Sequence, residues 1–158
     1  MKKITILFLF QTIFSFAQDF KTPYEKGNGN QTTTYEEMVK FYDDLDKNFE
    51  SISVVEKGKD DNGELIRVVI FDNSKKQNIP VIFINNGIHP GESDGIDATM
   101  MLIRDLALGK IKVPQNTKVA AIEAYNISGM QRHGKFSRAN QNGPEEHGFR
   151  GNARNFDL

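Results

Sequence analysis

The sequence contains no cysteine. Disulfides, thiolate metal sites and a cysteine nucleophile are therefore excluded, and any metal has to be held by His, Asp or Glu. Histidine itself is scarce, at three residues. Net charge is close to absent: 20 Lys and Arg against 21 Asp and Glu leave a formal −1. That balance offers nothing to nucleic acid or to an anionic membrane surface. Internal repeats and low-complexity tracts are also lacking. What is present is ordinary for a globular chain, with 38% hydrophobic and 26% charged residues in a length of 158. Such a length suits one domain or a piece of one.

The first residues read as a targeting segment. Lys2 and Lys3 form a short basic start, and Ile4 to Ala17 is apolar apart from Thr5, Gln11, Thr12 and Ser15. Ser15 and Ala17 are small residues where a signal peptidase reads, so cleavage is expected before Gln18. The run is too short to span a bilayer. Residues 1–17 are thus expected to be a secretory signal. The mature chain is expected to be secreted or periplasmic in a bacterium, with no membrane attachment after cleavage.

Residues 18–33 are polar and rich in Asn, Gly and Thr, and read as an exposed lead-in. Thr34 and Glu37 make a capping box, and Met38, Phe41 or Tyr42, Leu45 and Phe49 follow at helical spacing. A helix is expected from about Tyr35 to Asn48. Ile52–Lys57 and Leu65–Phe71 are β-branched runs around Asn62-Gly63, which predicts two antiparallel strands. Val81–Ile84 shows no polar alternation, the pattern of a strand buried on both faces in the middle of a sheet. A second helix begins at Ser93 or Asp94, buries Ile96, Met100, Ile103 and Leu106 or Ala107, and ends near Gly109. Val119–Tyr125 reads as a further strand. The order strand, loop, helix, strand predicts an α/β fold with a mixed, mostly parallel sheet flanked by helices. From Asn126 onward no regular element is expected, and the arginines Arg132, Arg138, Arg150 and Arg154 among Asn and Gly suggest a site for anionic groups.

Asn85-Asn86-Gly87-Ile88-His89-Pro90-Gly91-Glu92-Ser93 stands out. Gly87, Pro90 and Gly91 serve a sharp turn, but a turn does not need His89 and Glu92. Their spacing puts an imidazole and a carboxylate within reach of one point about 2.0–2.2 Å from each, a zinc bond length. Alone, such a pair is weak evidence; a turn in which Glu92 favours the N-terminus of the next helix would also produce it. The position strengthens the metal reading, because open α/β sheets bind ligands beyond the carboxyl ends of their strands.

With those residues in view, the chain resembles the zinc carboxypeptidase family, the carboxypeptidase A-like metallopeptidases. Gly87-Ile88-His89-Pro90-Gly91-Glu92 and the following Leu102-Ile103-Arg104-Asp105-Leu106 carry the resemblance. Ala124-Tyr125-Asn126-Ile127-Ser128-Gly129 is similar to a strand ending in Asn-Pro-Asp-Gly, with Ile127 and Ser128 departing from it. Ser137-Arg138-Ala139-Asn140 and Asn155-Phe156-Asp157-Leu158 complete the match. It runs over about residues 34–158 and covers only the first part of the family domain.

The resemblance implies that His89 and Glu92 are the first two zinc ligands, that Arg138 stabilises the oxyanion, and that Arg150 and Arg154 are candidates for substrate binding. The third ligand and the general base, a later His and a later Glu in the family, are not in these residues. His133 or His147 could complete the metal set, although an exposed loop histidine is the simpler reading of each. The implied partner is a peptide or peptide-like substrate with a free C-terminal carboxylate. The implied activity is metallocarboxypeptidase hydrolysis, inactive in this incomplete form. Two other readings are open: a zinc amidohydrolase of the aspartoacylase type, or a secreted non-catalytic binding module on a degenerate peptidase fold.

Overall fold

In the computed structural model, which describes residues 19–74 and 76–158, a hydroxyl and a carboxylate open helix α2 (Tyr35–Asn48). Thr34 Oγ1 accepts from the Glu37 amide at 3.2 Å, and Glu37 Oε2 accepts from the Thr34 amide at 3.0 Å. This capping box satisfies two backbone donors that the first turn would leave free. The helix then buries Met38, Phe41, Tyr42 and Leu45 on one stripe. The expected secretory signal lies outside the described residues.

The lead-in has many exposed residues but is tied down at buried threonines. A short helix α1 (Pro23–Lys26) sits within it, and Thr22, Thr32 and Thr33 are buried. Arg104 ion-pairs with Glu25 and hydrogen-bonds the Phe20 carbonyl at 3.2 Å. Asp97 accepts from Thr32 Oγ1 at 2.5 Å and from the Thr33 amide at 3.3 Å. Composition could not show these ties, because the partners lie more than sixty residues downstream.

Strands β1 (Ile52–Lys59) and β2 (Leu65–Phe71) form the expected antiparallel pair. β3 (Val81–Asn85) leads through helix α3 (Asp94–Ala107) to β4 (Lys118–Ile122), and a short helix α4 (Ile127–Gln131) follows. β4 pairs antiparallel with β2 and parallel with β3, giving the order β1-β2-β4-β3. The sheet is mixed, as expected, but it is not mostly parallel: β3–β4 is its one parallel pair among the described strands. The cause is β2, which runs against both of its neighbours.

β3 departs further from expectation. Its apolar run predicts a central strand, yet β4 takes the inner position and leaves β3 at the edge. Val81, Ile82 and Phe83 are 54, 47 and 60% exposed. Consecutive strand residues point to opposite faces, so both faces of this edge are bare. The core lies instead between α2, α3 and the other strands, built from residues such as Tyr42, Leu45, Val69, Met100, Ile103 and Ala121. An apolar edge without charge is a template for pairing with another chain. Phe83→Lys should therefore reduce concentration-dependent association of this chain, measured by light scattering; equal scattering from both proteins would place the sticky surface elsewhere.

Just past β4, Glu123 is 1% exposed. Arg67 donates to its Oε2 at 2.8 Å, while Oε1 and the buried Tyr42 hydroxyl have no hydrogen-bond partner among the described residues. Burial pushes the Glu123 carboxyl up to about 7, against the opposing pull of the Arg67 guanidinium. A carboxyl raised on folding adds stability below its unfolded pKa and loses it as pH rises through the folded value. Stability should thus fall by roughly 2 to 3 kcal/mol between pH 4.5 and 8 on account of this group. Glu123→Gln should flatten that fall in urea melts across the range; an unchanged slope would assign the dependence to other groups.

Candidate metal centre

The loop after β3 is set by main-chain bonds that extend the β3–β4 pairing. The Tyr125 amide donates to the Asn86 carbonyl at 2.8 Å, and the Asn126 amide to the Gly87 carbonyl at 2.9 Å. Asn86 is buried, and its Nδ2 donates to the Ile122 carbonyl at 3.1 Å while its Oδ1 accepts from Thr99 at 3.3 Å. At Gly87 the backbone takes φ +67°, and a Cβ there would sit 3.1 Å from Ile96 Cδ1. Glycine is the residue that meets both demands.

Next comes a turn closed by the Glu92 amide on the His89 carbonyl at 2.9 Å, with Pro90 and Gly91 as its central residues. A Cβ at Gly91 would lie 2.8 Å from the Gly148 carbonyl oxygen and 2.9 Å from Arg138 Cδ. The arginine-bearing segment therefore packs directly on the turn. The turn brings His89 Nδ1 to 3.6 Å from Glu92 Oε2. Two donor atoms that each sit near 2 Å from one metal ion are spaced in this way.

The other ring nitrogen is engaged elsewhere. His89 Nε2 is 2.8 Å from Asp157 Oδ1 and 3.2 Å from the Leu158 main-chain oxygen. Both are acceptors, so Nε2 carries a proton toward them. A carboxylate behind a histidine ligand fixes its tautomer and orientation in this manner. Asp157 was legible as part of a motif, but its role was not: its link to His89 spans 68 residues.

Two guanidinium groups hold the far oxygen of Glu92. Arg138 Nη1 lies 2.9 Å from Oε1, as an ion pair off the line of a good hydrogen bond. Arg150 Nη1 donates to the same oxygen at 3.2 Å. Arg138 holds the Glu92 carboxyl below its ordinary range, with His89 adding to the effect. Arg150 does the same for Asp157. Arg154 is exposed, and its backbone amide bonds Asn152 Oδ1 at 3.0 Å; no contact among the described residues carries its guanidinium to the turn.

The remaining histidines do not join the pair. His147 is 3% exposed, not a loose loop residue; its Nδ1 is 2.7 Å from Ser137 Oγ, and a main-chain bridge joins it to Gly134. His133 Nδ1 is 3.7 Å from Glu146, on a separate surface. Among the described residues no three His, Asp or Glu converge as a complete metal set. His89 and Glu92 thus fit a metal ion as two oriented donors of suitable chemistry. Ile127 and Ser128 are accommodated rather than disruptive: Ile127 is buried, and Ser128 Oγ donates to Asp60 at 2.7 Å. Asn126 caps α4 through the Gly129 amide at 2.9 Å, and a Cβ at Gly129 would meet the Phe149 oxygen at 2.7 Å.

No protein-family model matches the chain, and no curated protein does. Solved structures do. The carboxypeptidase A from Helicoverpa armigera is 24% identical with a TM-score of 0.58, over 64% of this chain and 26% of that one. A metallo-carboxypeptidase from Burkholderia cenocepacia is 18% identical with a TM-score of 0.61, over 80% of this chain and 32% of that one. Bovine thrombin-activatable fibrinolysis inhibitor, solved in complex with tick carboxypeptidase inhibitor, is 14% identical with a TM-score of 0.58, over 77% and 38%. The chain has the fold of the carboxypeptidase A-like metallocarboxypeptidases. It spans 26 to 38% of the length of these three structures.

The ion pair at Glu92 gives a direct expectation. Arg138→Ala should raise the titration point of the Glu92 carboxyl, followed by carbon-13 NMR of its side chain. An unshifted titration would mean that Arg138 does not face this oxygen in solution.

Proposed function

We propose that these residues are the N-terminal part of a secreted zinc metallocarboxypeptidase, with His89 and Glu92 as two of its metal ligands. The observation that carries this reading is the facing of His89 Nδ1 and Glu92 Oε2 at 3.6 Å, beyond the carboxyl end of β3. The fold likeness supports it, and the donor chemistry suits zinc. The third ligand and the proton acceptor are not among the described residues. When bound, zinc supplies Lewis acidity for attack of water on the scissile amide carbonyl.

The chain's own residues then have separable tasks. His89 and Glu92 are the two donors. Asp157 and the Leu158 oxygen keep the His89 proton on Nε2. Arg138, already beside Glu92, is placed to receive the negative charge that develops on the substrate carbonyl oxygen. Arg154, with an exposed guanidinium, is the candidate for gripping the carboxylate of a peptide C-terminus. The 158 residues alone should show no peptide turnover, since a catalytic zinc site needs three protein ligands.

Zinc calorimetry on the mature chain at neutral pH tests the reading. Weak one-to-one binding is expected, reduced about tenfold or more in both His89→Ala and Glu92→Ala. No detectable binding at millimolar zinc, or binding indifferent to both substitutions, would sink it.

A further inference from the structure

We propose that Asn142 is a site of spontaneous covalent modification, deamidation through a succinimide, and that the fold shields the other Asn-Gly pairs from the same reaction. The inference is independent of the metal reading. The sequence has four such pairs: Asn28-Gly29, Asn62-Gly63, Asn86-Gly87 and Asn142-Gly143. In each, the glycine main-chain nitrogen can attack the asparagine side-chain carbonyl carbon, because no Cβ on the glycine stands in the way. The nitrogen gives up its proton to base and bonds to Cγ. The Cγ–Nδ2 bond breaks, and ammonia leaves. Water then opens the five-membered ring at one carbonyl or the other, which leaves aspartate or isoaspartate at that position. The step consumes one water and needs no oxidant.

Three of the four pairs are restrained. The Gly29 amide donates to the Tyr24 carbonyl at 2.8 Å, and the Gly63 amide to the Asp60 carbonyl at 3.1 Å. A main-chain N–H held in this way is not free to lose its proton and turn on the preceding side chain, so the bond has to open first. Asn86 is restrained at the other partner. It is buried, its Nδ2 donates to the Ile122 carbonyl at 3.1 Å, and its Oδ1 accepts from Thr99 at 3.3 Å. Asn142 has neither restraint. It is exposed, and neither its side chain nor the Gly143 amide makes a hydrogen bond among the described residues. A Cβ at Gly143 would find one neighbour within 4 Å, Asn30 Oδ1 at 3.5 Å, so the approach is open. Space alone does not set the order, since Gly63 is at least as open; the bond to Asp60 does. Asn142 and Gly143 also line a cavity of about 390 Å³ together with Asp94 and Asp97. The product therefore adds a negative charge to a wall that is already acidic.

Peptide mapping by mass spectrometry, on protein held at mildly alkaline pH with and without urea, tests this. In urea all four pairs should convert at comparable rates. In folded protein Asn142 should keep its unfolded rate, while Asn28 and Asn62 should slow about fivefold or more, the effect of opening one hydrogen bond. Asn86 should not convert measurably. In Asn142→Gln, whose longer side chain would have to close a six-membered ring, labelling by an isoaspartate methyltransferase should fall to the level set by the other three pairs. Folded protein in which Asn28 or Asn62 converts ahead of Asn142, or in which Asn142 slows as much as they do, would overturn the proposal. So would undiminished labelling of Asn142→Gln. Should that variant fail to fold, the peptide map of the parent chain decides alone.

Discussion

The pairing of β3 with β4 is the constraint on which the site depends. It does not stop where the strands do: Asn86 and Gly87 still accept main-chain bonds from Tyr125 and Asn126. The loop that follows is thereby launched from a fixed direction, and the buried Asn86 side chain bonds both β4 and α3. His89 and Glu92 then need only one further hydrogen bond, across their own turn, to face each other. Buried amide groups that bond fully in this way rigidify a region without needing apolar packing. Here that rigidity is delivered at the end of the strand, where His89 and Glu92 face each other.

The charges around the turn do a different job. Individually, exposed ion pairs add about 0 to 1 kcal/mol to stability, so the arginines are not what keeps the chain folded. Their effect is local. Glu92 turns one oxygen to two guanidinium groups and the other to His89. Asp157 and the Leu158 oxygen draw the imidazole proton to the opposite edge. Orientation of two donors is the outcome, achieved with side chains from residues 138 to 158 that packing alone would not order.

Much of this was readable from the sequence where the determinants are local. The Thr34–Glu37 box, the α3 stripe from Ile96 to Leu106 and the β1–β2 pair all depend on residues a few positions apart. The facing of His89 and Glu92 was readable for the same reason, since a turn of four residues holds both side chains. The place of β3 was not readable, because an apolar run records that a strand can be buried and not which neighbours it receives. Asp157 behind His89, Ser137 against His147 and Asp60 against Ser128 were missed as contacts. Each joins residues that are apart in the chain, and no spacing rule reports such a meeting. The short helices α1 and α4 escaped because four or five residues carry too little periodicity; the Thr22–Glu25 box and the Asn126 cap were the available signals.

The core and the site also occupy different stretches of chain. No residue after Met130 belongs to the described hydrophobic core. What is buried beyond that point is polar, as with His147 and Asn152, and is held by specific bonds to oxygen and nitrogen partners. Burial of apolar surface supplies most of a fold's stability, so the last part of the chain contributes little to it and much to the geometry around Glu92. A substitution there can move a donor atom or a proton while leaving the helices and the sheet in place. That separation makes the arginines informative: a change in the facing of His89 and Glu92 on altering them reports the arrangement of the turn rather than that of the apolar core.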